Sequence, residues 1–249
     1  MTGLFELPAT PDNPPYYGWL MLLAVVLSLV FWSRLARLDD RLLLVYLGAL
    51  AGAFLGAKMI YVLAEGWRDF AEPDRWRRLA TGKTILGALL GGYAGVELSK
   101  KLIGYPRATG DWFAMIVPAS IVLGRIGCLL HGCCLGNVCE SFHWWTLTDR
   151  SGIPRWPAVP VEIAFNLAVI GIFWIFRKRH WFAGQHFHLY LIAYGLFRFV
   201  HEFGRATPRI LGPFSGYQLA ALAVTALGTW RFHTRQLSEA RSTPATRTS

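Results

Sequence analysis

Apolar residues along this chain fall into long runs separated by short polar or basic clusters. Seven runs come near the roughly 17–25 residues that a helix needs to cross a bilayer. They are Tyr17–Trp32, Leu42–Ala64, Thr84–Leu98, Asp111–Leu130, Val159–Phe176, Gln185–Phe203 and Pro213–Trp230. The pattern predicts an all-α, polytopic integral membrane protein of about seven transmembrane helices, with short re-entrant or surface helices between them. The third run is short and glycine-rich, so a tilted, broken or partly re-entrant segment is expected there. The first sixteen residues are polar and proline-bearing, with no basic stretch ahead of the first run, and no cleaved signal peptide is expected. Residues 1–230 read as a single transmembrane domain, and residues 231–249 as a basic cytoplasmic tail, solvated or disordered.

Composition agrees with a lipid environment. Hydrophobic residues make up 54% of the 249, and charged residues only 16%, below the roughly 25% usual in soluble domains. The formal net charge is +10. That excess lies in short clusters between apolar runs and forms no continuous basic face, so nucleic acid is excluded as a partner. The clusters instead orient the chain. With the N-terminus outside, the cytoplasmic connections carry Arg34, Arg37 and Arg41, then Lys100, Lys101 and Arg107, then Arg177, Lys178 and Arg179, and finally Arg231, Arg235, Arg241 and Arg247. The opposite side holds Arg68, Arg75, Arg77, Arg78 and Lys83, interleaved with Glu65, Asp69, Glu72 and Asp74 in a loop long enough to fold on the membrane surface.

Three cations interrupt the runs themselves. Lys58, Arg125 and Arg198 fall at similar distances from the starts of their segments, roughly 20–24 Å along each helix. A cation at that depth costs several kcal/mol unless it is paired or meets water. Three at one level, on helices running the same way, suggest a cavity for an anionic group such as a lipid phosphate. Taken singly, each also reads as a snorkelling or ion-paired residue. Gly48, Gly52 and Gly56 in the second run, and Gly87, Gly91 and Gly95 in the third, recur at spacing four. This is the small-residue pattern of close helix contact in lipid. Pro118 marks a candidate kink in the fourth run.

The stretches PYYGW, LGALAGAFLGAKMIYVL, TILGALLGGYAG, DWFAMIVPASIVLGRIG, GCCLG, RWPAVPVE and LIAYGLFRFVHEFGR occur in that order from the first run to the sixth. Together they resemble the bacterial prolipoprotein diacylglyceryl transferase family. The most specific part is Gly124-Arg125-Ile126-Gly127 with Gly132 and Gly136, similar to that family's signature for binding phosphatidylglycerol. The second is Tyr194-Gly195 with Arg198, Glu202 and Arg205 following. The resemblance implies transfer of the diacylglyceryl group of phosphatidylglycerol to the thiol of the lipobox cysteine of a preprolipoprotein, in the bacterial inner membrane. The expected partners are phosphatidylglycerol, a lipobox peptide and membrane lipids; no cofactor and no metal are expected. Arg125 and Arg198 match the family's essential arginines, one clamping the phosphate and the other neutralising charge on the departing oxygen. Tyr194 and Glu202 would orient them. Lys58, Tyr17, Gly87, Gly132, Gly136, Glu202 and Arg205 complete the expected lipid-binding set.

The departures from the family concern protons. Leu86 stands where the family has a catalytic histidine, and leucine cannot take a proton. Cys128, His131, Cys133 and Cys134 occupy positions that are usually asparagine or acidic. Three readings follow: His131 or a neighbour serves as base, the substrate thiol ionises beside the cations without one, or the chain does different chemistry. The corresponding alternatives to the transfer are a paralogue acting on another acceptor or lipid, and a silent lipid-binding membrane protein. The four cysteines admit a zinc site, with a poor spacing, a Cys134–Cys139 disulfide, a nucleophilic thiol, or packing as small apolar residues, which is the default. His186 and His188 read as solvated at the interface, and His201 as a candidate member of the site network. Trp144, Trp145 and Trp156 read as interfacial anchors, and Glu162 as a capping or packing residue at least as much as a chemical one.

Overall fold

The computed structural model describes residues 5–6, 16–37 and 39–242. Seven long helices match the seven apolar runs: α1 (Tyr16–Ala36), α2 (Arg41–Ala64), α4 (Ile85–Ile103), α5 (Gly110–His131), α6 (Ala158–Lys178), α7 (His186–His201) and α8 (Gly216–Ser242). Four stretches, Gly18–Leu35, Arg41–Ala64, Gly110–His131 and Ala158–Lys178, are long and apolar enough to span a bilayer on those grounds alone. Between α2 and α4 lie a 3-10 turn (Gly66–Ala71) and the short helix α3 (Arg75–Thr81), while a second 3-10 turn (Glu202–Gly204) extends α7. Three two-residue strands make a small sheet: β1 (Phe5–Glu6) runs parallel to β2 (Leu147–Thr148), which pairs antiparallel with β3 (Pro154–Arg155).

The third apolar run is an unbroken helix, contrary to expectation. Its glycines weaken it alone, but they let α4 lie directly on α2. A Cβ on Gly52 would strike the carbonyl of Gly91, one on Gly91 that of Gly52, and one on Gly56 that of Gly87. A Cβ on Gly95 would strike the Gly48 carbonyl, and one on Gly48 the Ser99 side chain. Backbone contact of this closeness replaces side-chain packing, which in lipid has no hydrophobic drive behind it. Gly87 belongs to this helix–helix contact. Pro118 is buried within the continuous α5.

At one end of the bundle Trp32 is fully enclosed, with its ring 5.5 Å from Tyr46 and 4.7 Å from Phe113, so α1, α2 and α5 are locked together. The same end holds polar ties. Arg231 of α8 pairs with Glu97 of α4 at 2.6 Å and donates to the Tyr93 hydroxyl at 2.5 Å. Asp111 accepts from the N–H groups of Gly184 and His186 at 2.6 and 3.2 Å, fixing the start of α7. His186 and His188 are buried, against the expectation of interfacial solvation; His186 Nε2 reaches the Trp181 carbonyl at 2.8 Å and His188 Nδ1 the Gln185 side chain at 2.6 Å.

The other end is closed by the connection from α2 to α4. Lys58 directs its ammonium to the carbonyls of Leu79, Ala80 and Gly82, and so caps α3. Tyr61 bonds Asp69, with Gly66 and Gly82 pressed on its ring, and Tyr217 of α8 donates to Glu65 at 2.7 Å. Replacing Gly91 by valine puts methyl groups into the Gly52 carbonyl. The expected outcome is a loss of about 1–3 kcal/mol of stability, read as a lower thermal midpoint in detergent. Gly92→Ala, whose Cβ meets only ordinary contacts, is expected to leave the midpoint unchanged.

Candidate active site

At the end closed by Tyr61, five charged side chains meet, each no more than 9% exposed: Arg125, Glu162, Arg198, Glu202 and Arg205. Arg125 of α5 pairs with Glu162 of α6, its Nη2 lying 2.9 Å from Oε2 and 3.1 Å from Oε1. The Tyr194 hydroxyl of α7 donates to the same Oε1 at 2.7 Å. One helical turn beyond Tyr194, Arg198 approaches Glu202 at 3.0 Å, four residues further along the chain. Arg205 approaches the same oxygen of Glu202 at 3.5 Å. Thr207 donates to the other oxygen of Glu202 at 2.7 Å. Three guanidinium groups thus face two carboxylates, leaving one positive charge over. Nε of Arg125, Nε of Arg198 and Nη1 of Arg205 are buried and donate to no acceptor among the described residues. Such donors in a dry site are strong partners for an anion.

The cluster lies at the edge of a large cavity of about 2050 Å³ that runs between α1, α2, α4, α5 and α8. Arg125 and Arg205 line it; Arg198 does not, standing behind the wall between the two carboxylates. Most of its length is apolar, with Leu50, Phe54, Leu89 and Val117 among its walls. The cavity thus joins a guanidinium-rich end to a mostly apolar length.

The loop after α5 carries the rest of the wall. Gly132, at φ +69°, ends α5 in the left-handed conformation that glycine takes without penalty. The chain then lies against the second 3-10 turn. Gly136 pairs with Arg205 as an isolated bridge, and the N–H of Asn137 donates to the Gly204 carbonyl at 2.8 Å. A Cβ on Gly136 would strike the Trp156 carbonyl. Gly132 and Gly136 act through backbone shape, then, which brings Cys133 and Cys134 to the cavity beside Arg205. The Cys134 thiol is held well below its ordinary value by sulfur hydrogen bonds from Cys128 and Cys133, with Arg125 and Arg205 adding to them against the effect of burial. All four thiols are free, Cys134 and Cys139 included. In the following hairpin, burial raises the Asp149 carboxyl, but Arg155 at 2.6 Å and the N–H groups of Ile153 and Ser151 outweigh it and hold it below the usual carboxylate range.

Of the residues expected from sequence, Arg125, Tyr194, Arg198, Glu202 and Arg205 converge. His131 lines the cavity at the end of α5. Lys58 does not join them, because its charge is met by the three carbonyls of α3 and the turn after it. Tyr17 opens α1, and its side chain lies outside the described residues. His201 is buried and stacks on Phe197 at 4.9 Å. Trp144 is exposed as an anchor would be, but Trp156 is a scaffold against which Gly136 and Gly204 press, and Trp145 meets its edge at 5.4 Å. Leu86 is 1% exposed and packed in the hydrophobic core. Sequence reasoning undervalued Glu162, the partner of Arg125. The signal was present: a lone carboxylate inside an apolar run needs a cation. Asn166, one turn on, supports the site by accepting from Tyr190 at 3.0 Å.

The fold and this buried cluster define a multi-pass helical membrane protein with surplus guanidinium groups at the edge of a large, mostly apolar cavity. Residues 9–234 match the family described as Prolipoprotein diacylglyceryl transferase, and the chain belongs to that family. It is similar to the phosphatidylglycerol–prolipoprotein diacylglyceryl transferase of Clostridium tetani, at 27% identity over 208 residues, covering 78% of this chain and 81% of that protein. Against the enzyme of the same name from Mannheimia succiniciproducens it is 32% identical over 176 residues, covering 68% and 65%.

Glu162→Ala strips the partner from Arg125 and from the Tyr194 hydroxyl at once. The expected cost is about 3–5 kcal/mol of stability, against about 1 kcal/mol for Thr207→Val, which removes a single hydrogen bond to Glu202. Denaturation of both purified variants in detergent checks the order.

Proposed function

We propose that this protein transfers the diacylglyceryl group of phosphatidylglycerol to the lipobox cysteine thiol of a preprolipoprotein, at the outer face of the bacterial inner membrane. The observation that carries this reading is the surplus guanidinium charge, with undirected donors, at the head of an apolar groove. In this reading the lipid phosphate sits against Arg125 and Arg205, and the acyl chains follow the groove between α2, α4 and α5. Glu162 grips Arg125 through both oxygens, so its remaining N–H groups point in a fixed direction when the phosphate arrives. Glu202 holds Arg205 more loosely, through one oxygen 3.5 Å from Nε, and Arg198 raises the positive potential from behind the wall.

The thiolate sulfur attacks the glycerol carbon that bears the phosphate ester. The C–S bond forms as the C–O bond breaks, and its electron pair passes to the phosphate oxygen, leaving glycerol 1-phosphate. Charge grows on that oxygen in the transition state, so donors already aimed at it accelerate the step. The family name of the relatives and the retained arginines support this reading. Leu86, packed in the core, supports no role in proton transfer.

In cells depleted of their own transferase, expression of this chain is expected to restore lipidation of a lipobox reporter. Arg205→Ala is expected to lower the rate by about 10²–10³-fold at equal protein level, and Arg125→Lys, which keeps charge and loses the fork, by a smaller factor. Normal lipidation by Arg205→Ala contradicts the assignment. No lipidation by the well-expressed wild type contradicts the reaction, and retained binding of phosphatidylglycerol in that case identifies a silent lipid-binding protein.

A further inference from the structure

We infer that Cys128, Cys133 and Cys134 form a three-thiolate zinc site in the cavity wall, whose fourth position takes the thiol of the acceptor peptide. The inference rests on the proposed transfer for its substrate, but the site itself stands on geometry. The three Sγ atoms all lie within 4.8 Å of one another. Thiolates about 2.3 Å from a tetrahedral zinc lie about 3.8 Å apart, so small side-chain adjustments close the site.

The backbone is shaped for this convergence. After Gly132 has turned the chain out of α5, the N–H of Cys133 returns to the Cys128 carbonyl at 3.1 Å. Cys134 holds φ at +61°, a left-handed conformation unfavourable to a residue with a side chain, and with it the third sulfur joins the other two. Packing alone requires none of this; cysteines used as small apolar fillers have no reason to meet as three sulfurs. Cys139, beyond Gly136, stands outside the group.

The position is suited to the reaction. Cys128, Cys133 and Cys134 all line the cavity, and Arg125 Nη1 lies 3.8 Å from Cys128 Sγ. A thiolate held there is within a few ångströms of a phosphate on Arg125 and Arg205, which is where the reacting carbon must be. A zinc ion with three thiolates carries one negative charge, equal to the positive charge that the three guanidinium groups leave over Glu162 and Glu202, so the lipid phosphate is held there by the undirected N–H donors of Arg125 and Arg205. Coordination removes the proton from a bound thiol outright, so that proton passes to water before the sulfur attacks carbon. Leu86 is then explained, because a thiol ionised by a metal needs no side-chain base.

The test uses the full chain purified in detergent without chelator. Elemental analysis is expected to find about one zinc per chain, lost in Cys133→Ser and Cys128→Ser and kept in Cys139→Ser. In wild type, alkylation is expected to modify one thiol readily and three more only after a chelator is added, a readout that needs no variant to fold. Reconstituted with Co²⁺, the protein is expected to show a thiolate charge-transfer band, and a lipobox peptide is expected to shift its visible spectrum where the same peptide with serine for cysteine does not. Wild type without zinc, zinc retained in a well-folded Cys133→Ser, or a mass two hydrogens low that marks a disulfide, each overturns the site. A cobalt spectrum indifferent to the cysteine peptide overturns the role of the fourth position. Zinc and a peptide-sensitive spectrum without any lipid transfer support the site and refute the proposed reaction instead.

Discussion

Charge buried in an apolar surrounding must be answered by charge, and the contact of Arg125 with Glu162 is where this protein answers it. Neither residue can be enclosed alone, since an unpaired ion in a medium of low polarity costs several kcal/mol. Their contact at 2.9 Å therefore fixes α5 against α6. Tyr194 brings α7 to the same carboxylate, and the run from Arg198 through Glu202 to Arg205 carries the pairing round to the loop that forms the cavity wall. Cations outnumber carboxylates in this group, and several of their buried N–H groups meet no acceptor among the described residues, which supports the proposed anion. A site that is electrostatically incomplete and joined to an apolar groove is suited to a lipid headgroup.

The rest of the bundle keeps that cluster in place. The backbone contact of α2 with α4 makes a rigid pair along one side of the groove, and the polar ties at the far end anchor α4, α7 and α8. The connection between α2 and α4 closes the near end through Lys58, Tyr61 and Tyr217, which serve it and not the anion. The division is physically reasonable. The charges proposed to receive a substrate sit on α5 and α7 or just beyond, and charges that shape the cover are satisfied by backbone carbonyls and neighbouring acids.

The seven helices were legible in the apolar runs because lipid permits few alternatives to the helix. Arg125, Arg198, Glu202 and Arg205 were legible as ions out of place. Other features depended on tertiary contact. Lys58 shared the depth of the arginines along its helix, but depth says nothing of azimuth or of a loop folding back onto the side chain. The glycines of α4 suggested a break because their low helix propensity counts alone in sequence, whereas backbone contact with α2 outweighs it. Glu162 was visible but undervalued, since its partner lies 37 positions away in the chain. The meeting of Cys128 with Cys133 and Cys134 was hidden by a spacing unlike common metal motifs; the left-handed turns at Gly132 and Cys134 supply what spacing lacks.

The claim at the centre is that the unanswered positive charge beside Glu162 and Glu202 receives a lipid phosphate. An experimental structure of the protein in nanodiscs containing phosphatidylglycerol measures this directly. The account predicts a phosphate within hydrogen-bond distance of both Arg125 and Arg205, with acyl chains running between α2, α4 and α5. A lipid seated elsewhere, with these guanidinium groups fully paired to protein carboxylates and no anion against them, would contradict it.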